Sequence, residues 1–247
     1  ALTLMGMSGP AGAQAPTPAP APAELPEAIA KPAQKADTAP AAQQKGGDAM
    51  AADVKALVDR MQAFYEKTSD FRAEFTQRYT YKAFKRTQTS SGTVIFKKPG
   101  LMRWEYLEPG RKTFVLAGEK VYAHDPEAQM LTVARIDTSQ LSASVTFLFG
   151  QGNLADEFTI EKKACQSCRG TLLQLSPKKP DPRFQRILLE VDPKTAQVLV
   201  STVIDPDGSE NAITFRKLVT NTGIGAEAFK LNPPEGTQVQ DYTRAAA

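Results

Sequence analysis

From Phe71 onward the chain consists of short runs in which large apolar residues recur at every second position, each run closed by a cluster of Gly, Pro, Asp or Lys. Phe71, Ala73, Phe75, Gln77, Tyr79 and Tyr81 alternate with Arg72, Glu74, Thr76, Arg78 and Thr80. A two-residue period is that of a strand with one covered face. The segment Ser91 to Tyr106, SGTVIFKKPGLMRWEY, repeats the pattern twice around Lys97-Lys98-Pro99-Gly100 and reads as two strands joined at a Pro-Gly turn. A two-stranded ribbon is marginal in water, so these strands need neighbours and an apolar face to lie against.

The rest of the chain supplies them. Before the strands, Asp53 to Lys67 carries Val54, Leu57, Val58, Met61, Phe64 and Tyr65 at helical spacing. This predicts an amphipathic helix with Asp53 as its N-cap. Lys82 to Ser90 is polar and reads as a loop. Beyond Tyr106, strands are predicted at Thr113–Ala117, Val121–Asp125 and Gln129–Ile136, with tight turns between them. The stretch Asp137 to Glu157 interrupts the series: Leu141, Val145 and Leu148 have helical spacing, and a short helix midway through a sheet is a candidate cap over one of its faces. Strands resume at Phe158–Lys163, Thr171–Ser176, Arg183–Val191, Gln197–Asp205 and Ala212–Val219. A short Ala226–Phe229 piece and a strand remnant at Leu231 follow. Because no βαβ unit alternates along the chain, the fold class is mainly β (α+β). The expected architecture is a curved antiparallel sheet of about eleven strands, too long to stay flat, with an N-terminal helix and a short helical lid.

Composition matters most at the start. Residues 1–15 resemble the tail of a secretory signal, a short apolar run followed by Ala13-Gln14-Ala15. With no initiator Met and no charged n-region, part of that signal is expected to be missing. Residues 16–50, rich in Pro and Ala, lack the apolar side chains to offset their ordering entropy and read as a linker. Residues 51–247 form the folded domain. A net charge of +3 and no Lys/Arg-rich tract give no sign of nucleic-acid binding.

The inventory for catalysis is thin. The single His124 sits at a strand end and reads as a turn residue. Two cysteines and one distant histidine fall short of a zinc site. No nucleophile elbow, phosphate-binding glycine loop or metalloprotease helix is present. No enzyme activity and no cofactor are therefore expected. Cys165 and Cys168 have redox-motif spacing but lie between two strands. They are read as a structural disulfide stapling a hairpin tip, of small worth because the loop is short. The inward face of a curled sheet is either a packed core or a hydrophobic pocket, and composition does not choose between them.

FRAEFTQ (Phe71 to Gln77), GTVIFKKPGLMRWEYLEP (Gly92 to Pro109), GEKVYAHDP (Gly118 to Pro126), DPDGSENAITFRKL (Asp205 to Leu218) and FKLNPPEGTQV (Phe229 to Val239) together resemble the periplasmic outer-membrane lipoprotein carrier family, LolA. The most specific piece is Phe96 to Tyr106. The resemblance implies an unclosed β-barrel with a helical lid that holds lipoprotein acyl chains while they cross the periplasm. It implies loading by an inner-membrane ABC transporter complex, delivery to an outer-membrane receptor or to the outer membrane itself, and action as a monomer. The acyl-chain cavity is then expected to be lined by Leu57, Met61, Phe75, Val94, Phe96, Met102, Trp104, Tyr106 and Phe114. Lid and gating roles fall to Lys98, Arg103, Leu141, Val145 and Leu148. Where the family usually has an Arg bonded to the lid, this chain has Lys98, a point charge without the planar fork, so either the closed state is held less firmly or Arg103 shares the role. The second reading is a periplasmic lipoprotein- or lipid-sensing regulator of the same fold that binds an inner-membrane anti-sigma factor.

Overall fold

A computed structural model describes residues 50–135 and 153–243. The first element is helix α1 (Ala52–Lys67), followed by β1 (Asp70–Tyr81), β2 (Arg86–Lys97), β3 (Leu101–Glu108), β4 (Lys112–Ala117), β5 (Lys120–Asp125) and β6 (Met130–Arg135). After residues 136–152 come a single helical turn, α2 (Leu154–Glu157), and β7 (Phe158–Lys163), β8 (Thr171–Pro177), β9 (Arg186–Val191), β10 (Val198–Ile204) and β11 (Glu210–Thr220). The 3-10 turn η1 (Ala226–Phe229) and β12 (Gln238–Asp241) complete the fold.

All strands among the described residues join one curved, unclosed 12-stranded sheet in the order β12-β6-β5-β4-β3-β2-β1-β11-β10-β9-β8-β7. Two sequential meanders, β1 to β6 and β7 to β11, meet along a single ladder in which β1 runs antiparallel to β11. That ladder slips by one residue between Arg72 and Glu74. Every pairing is antiparallel except the last, where β12 adds to β6 in the parallel sense, Val239 opposite Leu131.

Alternation sends two sets of side chains to the concave face. In the second meander Leu173, Leu175, Ile187, Leu189 and Val191 are buried beneath Val54, Leu57, Val58, Met61 and Tyr65 of α1. The helix is held there at both ends. The Val198 amide donates to the Tyr65 hydroxyl at 3.2 Å, and Lys162 pairs with Asp53 at 3.3 Å. Burial pushes the Tyr65 phenol up to about 12.

Several boundaries differ from the sequence reading. The N-cap of α1 is Ala51, with no side-chain cap; Asp53 turns outward to Lys162 instead. Strand β2 begins at Arg86, inside the stretch read as a loop, because the hairpin runs on past the sheet. Strand β9 begins only at Arg186: Asp181 accepts from the Arg183 guanidinium at 2.6 Å and folds the preceding residues into a turn. No strand lies at Leu231, and the strand that was missed, β12, raises the count from about eleven to twelve. The Cys165–Cys168 disulfide is present in the β7–β8 turn. The predicted lid residues Leu141, Val145 and Leu148, the secretory-signal segment 1–15 and all but the last residue of the linker 16–50 lie outside the described residues.

Candidate functional site

The first meander places the site. Register aligns its inward residues into rows that cross the strands. Phe71 faces Phe96, Phe96 faces Met102, Met102 faces Leu116 and Leu116 faces Val121. The next row runs Ala73, Val94, Trp104, Phe114 and Ala123. Nine of these ten side chains are buried, with Phe96 at 0% exposure and Trp104 at 6%, and Ala123 packs against them. Cross-strand neighbours on one face approach within contact distance, so the rows form one apolar sheet surface.

The third row contains a hole. Phe75 faces Gly92, and Gly92 faces Tyr106. With no side chain at 92, the Phe75 and Tyr106 rings close over the gap edge-to-face, their centroids 5.0 Å apart. A Cβ at Gly92 would run into the Glu105 carbonyl oxygen and sit 3.0 Å from the Phe75 ring. Only glycine fits this approach.

Beyond that row the concave face turns polar. The Tyr106 hydroxyl donates to Gln77 at 2.9 Å, and the Gln77 amide donates to Asn211 at 2.9 Å. Burial pushes the Tyr106 phenol well above its ordinary range, so it stays a neutral donor. The apolar surface is thus bounded at this end by a hydrogen-bonded ladder. Trp104 Nε1 donates to Met102 Sδ at 2.8 Å, so the one indole donor is satisfied without a polar oxygen among the apolar rows.

Of the residues predicted to line a cavity, Phe75, Val94, Phe96, Met102, Trp104 and Phe114 are gathered in this cluster, and Tyr106 packs at its border. Leu57 and Met61 belong to the neighbouring cluster under α1. Phe215 of β11 packs against both clusters and connects them; its centroid is 6.4 Å from that of Trp104. Phe215, Phe71, Leu116 and Val121 were not singled out from the sequence. The signal for each was the same alternation that marked Phe96 and Trp104.

The two cations assigned to gating are on different sides of the sheet. Lys98, in the turn between β2 and β3, donates to the carbonyls of Tyr65 at 2.9 Å and Glu66 at 2.8 Å. It therefore caps the C-terminus of α1. Burial pulls its pKa down, with the nearby Glu66 carboxylate acting in the opposite sense. Gly100, which ends the same turn, has φ +93°, a region that suits glycine.

Arg103 is a correction to the sequence reading. Alternation puts it on the face opposite Met102 and Trp104. There it pairs with Glu105 at 2.6 Å and donates to the carbonyls of Lys230 at 3.0 Å and Ala228 at 3.3 Å. It holds a C-terminal strap, residues 221–237, across the convex face, and it does not face the concave side. Phe229 of η1 is buried where the strap lies on β3 and β4. The strap leaves β11 over Asp70, whose carboxylate accepts from the Thr222 amide at 2.8 Å and the Gly223 amide at 3.0 Å. Two clefts lined by described residues, of about 360 and 480 Å³, flank this strap.

His124 lies on β5, and its Nε2 is buried without a hydrogen-bond partner among the described residues. Among those residues no group of three or more His, Cys, Asp or Glu side chains is placed to hold a metal ion, and no helix is long and apolar enough to cross a membrane.

A family model described as "Outer membrane lipoprotein carrier protein LolA" matches residues 66–232. A protein named outer-membrane lipoprotein carrier protein from Dechloromonas aromatica (strain RCB) is 31% identical over 182 residues, covering 74% of this chain and 86% of that one. Its namesake from Neisseria meningitidis serogroup B (strain MC58) is 28% identical over 191 residues, covering 77% of this chain and 90% of that one. Among solved structures, an uncharacterized conserved protein from Thermus thermophilus aligns with a TM-score of 0.50 at 13% identity. It covers 76% of this chain and 98% of that one, a likeness of fold alone.

Proposed function

The chain belongs to the LolA family of outer membrane lipoprotein carrier proteins, and from that premise we propose that it binds lipoprotein acyl chains on its concave face and carries them across the periplasm. The observation that supports this most directly is the unbroken apolar surface running from β1 to β5, polar only where Tyr106, Gln77 and Asn211 bound it. Hydrocarbon needs such a surface and little else, since it offers no group for a directed bond.

The energetics favour a carrier over a store. Burying one acyl chain of about fourteen methylenes contributes roughly 11 kcal/mol at about 0.8 kcal/mol per methylene. In the conformation described, the rows are buried within the protein. Loading therefore requires an uncovering step whose cost offsets part of that gain and keeps release feasible. Leu141, Val145 and Leu148 are proposed as the apolar face of the lid that moves. An inner-membrane ABC transporter complex supplies the energy for loading, and an outer-membrane receptor or the outer membrane itself takes the cargo. The protein works as a monomer exported by an N-terminal signal, as a carrier and not as an enzyme.

The test is release of a triacylated lipoprotein from spheroplasts by the purified protein. A soluble complex of the two is the expected result; a lipoprotein that stays with the membrane overturns the reading. A photo-crosslinking side chain at Trp104 should capture acyl chains, and one at Val115, buried on the other face, should not.

A further inference from the structure

At the end of the sheet where β1 turns into β2, the hairpin outruns its neighbours. The two strands stay paired as far as Tyr81 opposite Arg86. Strand β11 follows β1 only to Thr80, and β3 follows β2 only from Ser91. Residues 86–90 therefore have a strand on one side alone. At about 3.4 Å per residue the overhang beyond β3 is roughly 17 Å.

This projecting tip combines two features. Residues 82–89 are all exposed, among them Phe84 at 79%, the most exposed large apolar side chain among the described residues. Its ring leans edge-on against Tyr81 with centroids 6.4 Å apart, which orders it without covering it. Between Arg78 and Ser91 the chain carries four basic residues, Arg78, Lys82, Lys85 and Arg86, and no carboxylate. Lys85 and Arg86 form no ion pair among the described residues. The nearest acidic turn is engaged: Asp205 accepts from Tyr79 at 2.6 Å, Asp207 accepts from the Ser209 amide at 2.8 Å, and the Lys82 side chain lies against its Gly208.

We propose that the β1–β2 tip docks on an anionic lipid surface, with the Phe84 ring entering the headgroup layer and Lys82, Lys85 and Arg86 meeting lipid phosphates. Charge complementarity selects this occupant, since a cluster of basic residues around an exposed ring, Lys85 and Arg86 without ion pairs among the described residues, matches a negative surface that is apolar just beneath. Size argues the same way. A stable protein partner needs about 800 Å² on each side, more than a narrow tip with one large apolar side chain offers. The proposal does not depend on acyl-chain binding, because the tip lies outside the concave face.

The experiment is flotation of the purified full chain, without lipoprotein, with vesicles of phosphatidylcholine alone or phosphatidylcholine mixed with phosphatidylglycerol. Binding is expected only to the mixed vesicles and should weaken as salt is raised. Replacing the three cations together (Lys82→Gln, Lys85→Gln and Arg86→Gln) should lower partitioning about a hundredfold. Phe84→Ser should lower it about tenfold and leave the salt dependence in place. All four positions are exposed, so circular dichroism should be unchanged. Absence of binding by the unaltered protein, equal binding to neutral vesicles, or unaltered binding by both variants would each overturn the proposal.

Discussion

Lys98 and Tyr65, 33 residues apart, are joined by a 2.9 Å bond from ammonium to carbonyl, and the same ammonium reaches the Glu66 carbonyl at 2.8 Å. The last carbonyls of a helix carry the negative end of its dipole, so a cation there is doubly favourable. Lys98→Met should lower stability by about 1–2 kcal/mol, whereas Lys98→Arg should stay within about 0.5 kcal/mol of the unaltered protein. Urea midpoints decide it; a Lys98→Met midpoint identical to that of the parent would remove the capping role.

Asp70 is where stability should depend on acid. Burial raises the pKa of its carboxyl, but hydrogen bonds from the Thr222 amide and hydroxyl and from Gly223 outweigh this, holding it below the ordinary 3.8. A depressed folded value contributes stability that is present above the unfolded pKa and is lost as pH falls through the folded one. Asp70→Asn should cost about 2 kcal/mol at neutral pH. The gap to the parent should narrow below about pH 4. A gap of constant size across that range would contradict the assignment.

Gly92→Ala should cost about 1–3 kcal/mol or more, since its Cβ meets a backbone oxygen that cannot step aside. Gly100→Ala is the comparison: that Cβ meets open space, and only the positive φ is strained. Its cost should be nearer 1 kcal/mol. Thermal unfolding of the pair separates a clash from a conformational penalty.

Arg103→Ala should loosen the strap without disturbing the sheet. Amides of η1 should exchange roughly tenfold faster, as expected for losing one or two net hydrogen bonds from a local opening. Exchange in β3 itself should not change. Uniform acceleration of both would mean that the guanidinium supports the whole sheet.

Alternation made the rows of the concave face legible because each strand of the first meander buries one side and wets or straps the other. Where neither side is covered the signal vanishes. Arg86 to Thr89 are all exposed, as are Gln238 to Asp241, and these are the stretches where a strand went unread. Burial alone does not reveal partners. Leu57 and Met61 were correctly placed on the covered face of α1, but that they pack over β7 to β10 depends on contacts more than a hundred residues distant, which no local pattern encodes. The resemblance assigns Lys98 a gating role, whereas its bonds here are to carbonyls of α1. The placement of Arg103 was readable: an odd position in a strand whose even positions face inward must face outward.

The two meanders resemble the leaves of a book bound along one spine, the β1 and β11 ladder with its slip at Arg72 and Glu74. Helix α1 is the clasp. It is fastened to one leaf through Tyr65 and Val198 and to the other through the ammonium of Lys98. Breaking the two Lys98 ammonium bonds costs no strand pairing, while α1 stays tied to β1 through Thr68 and Ser69. An open sheet of this kind can change its spread without breaking a strand ladder, a freedom that a closed barrel of fixed circumference does not have.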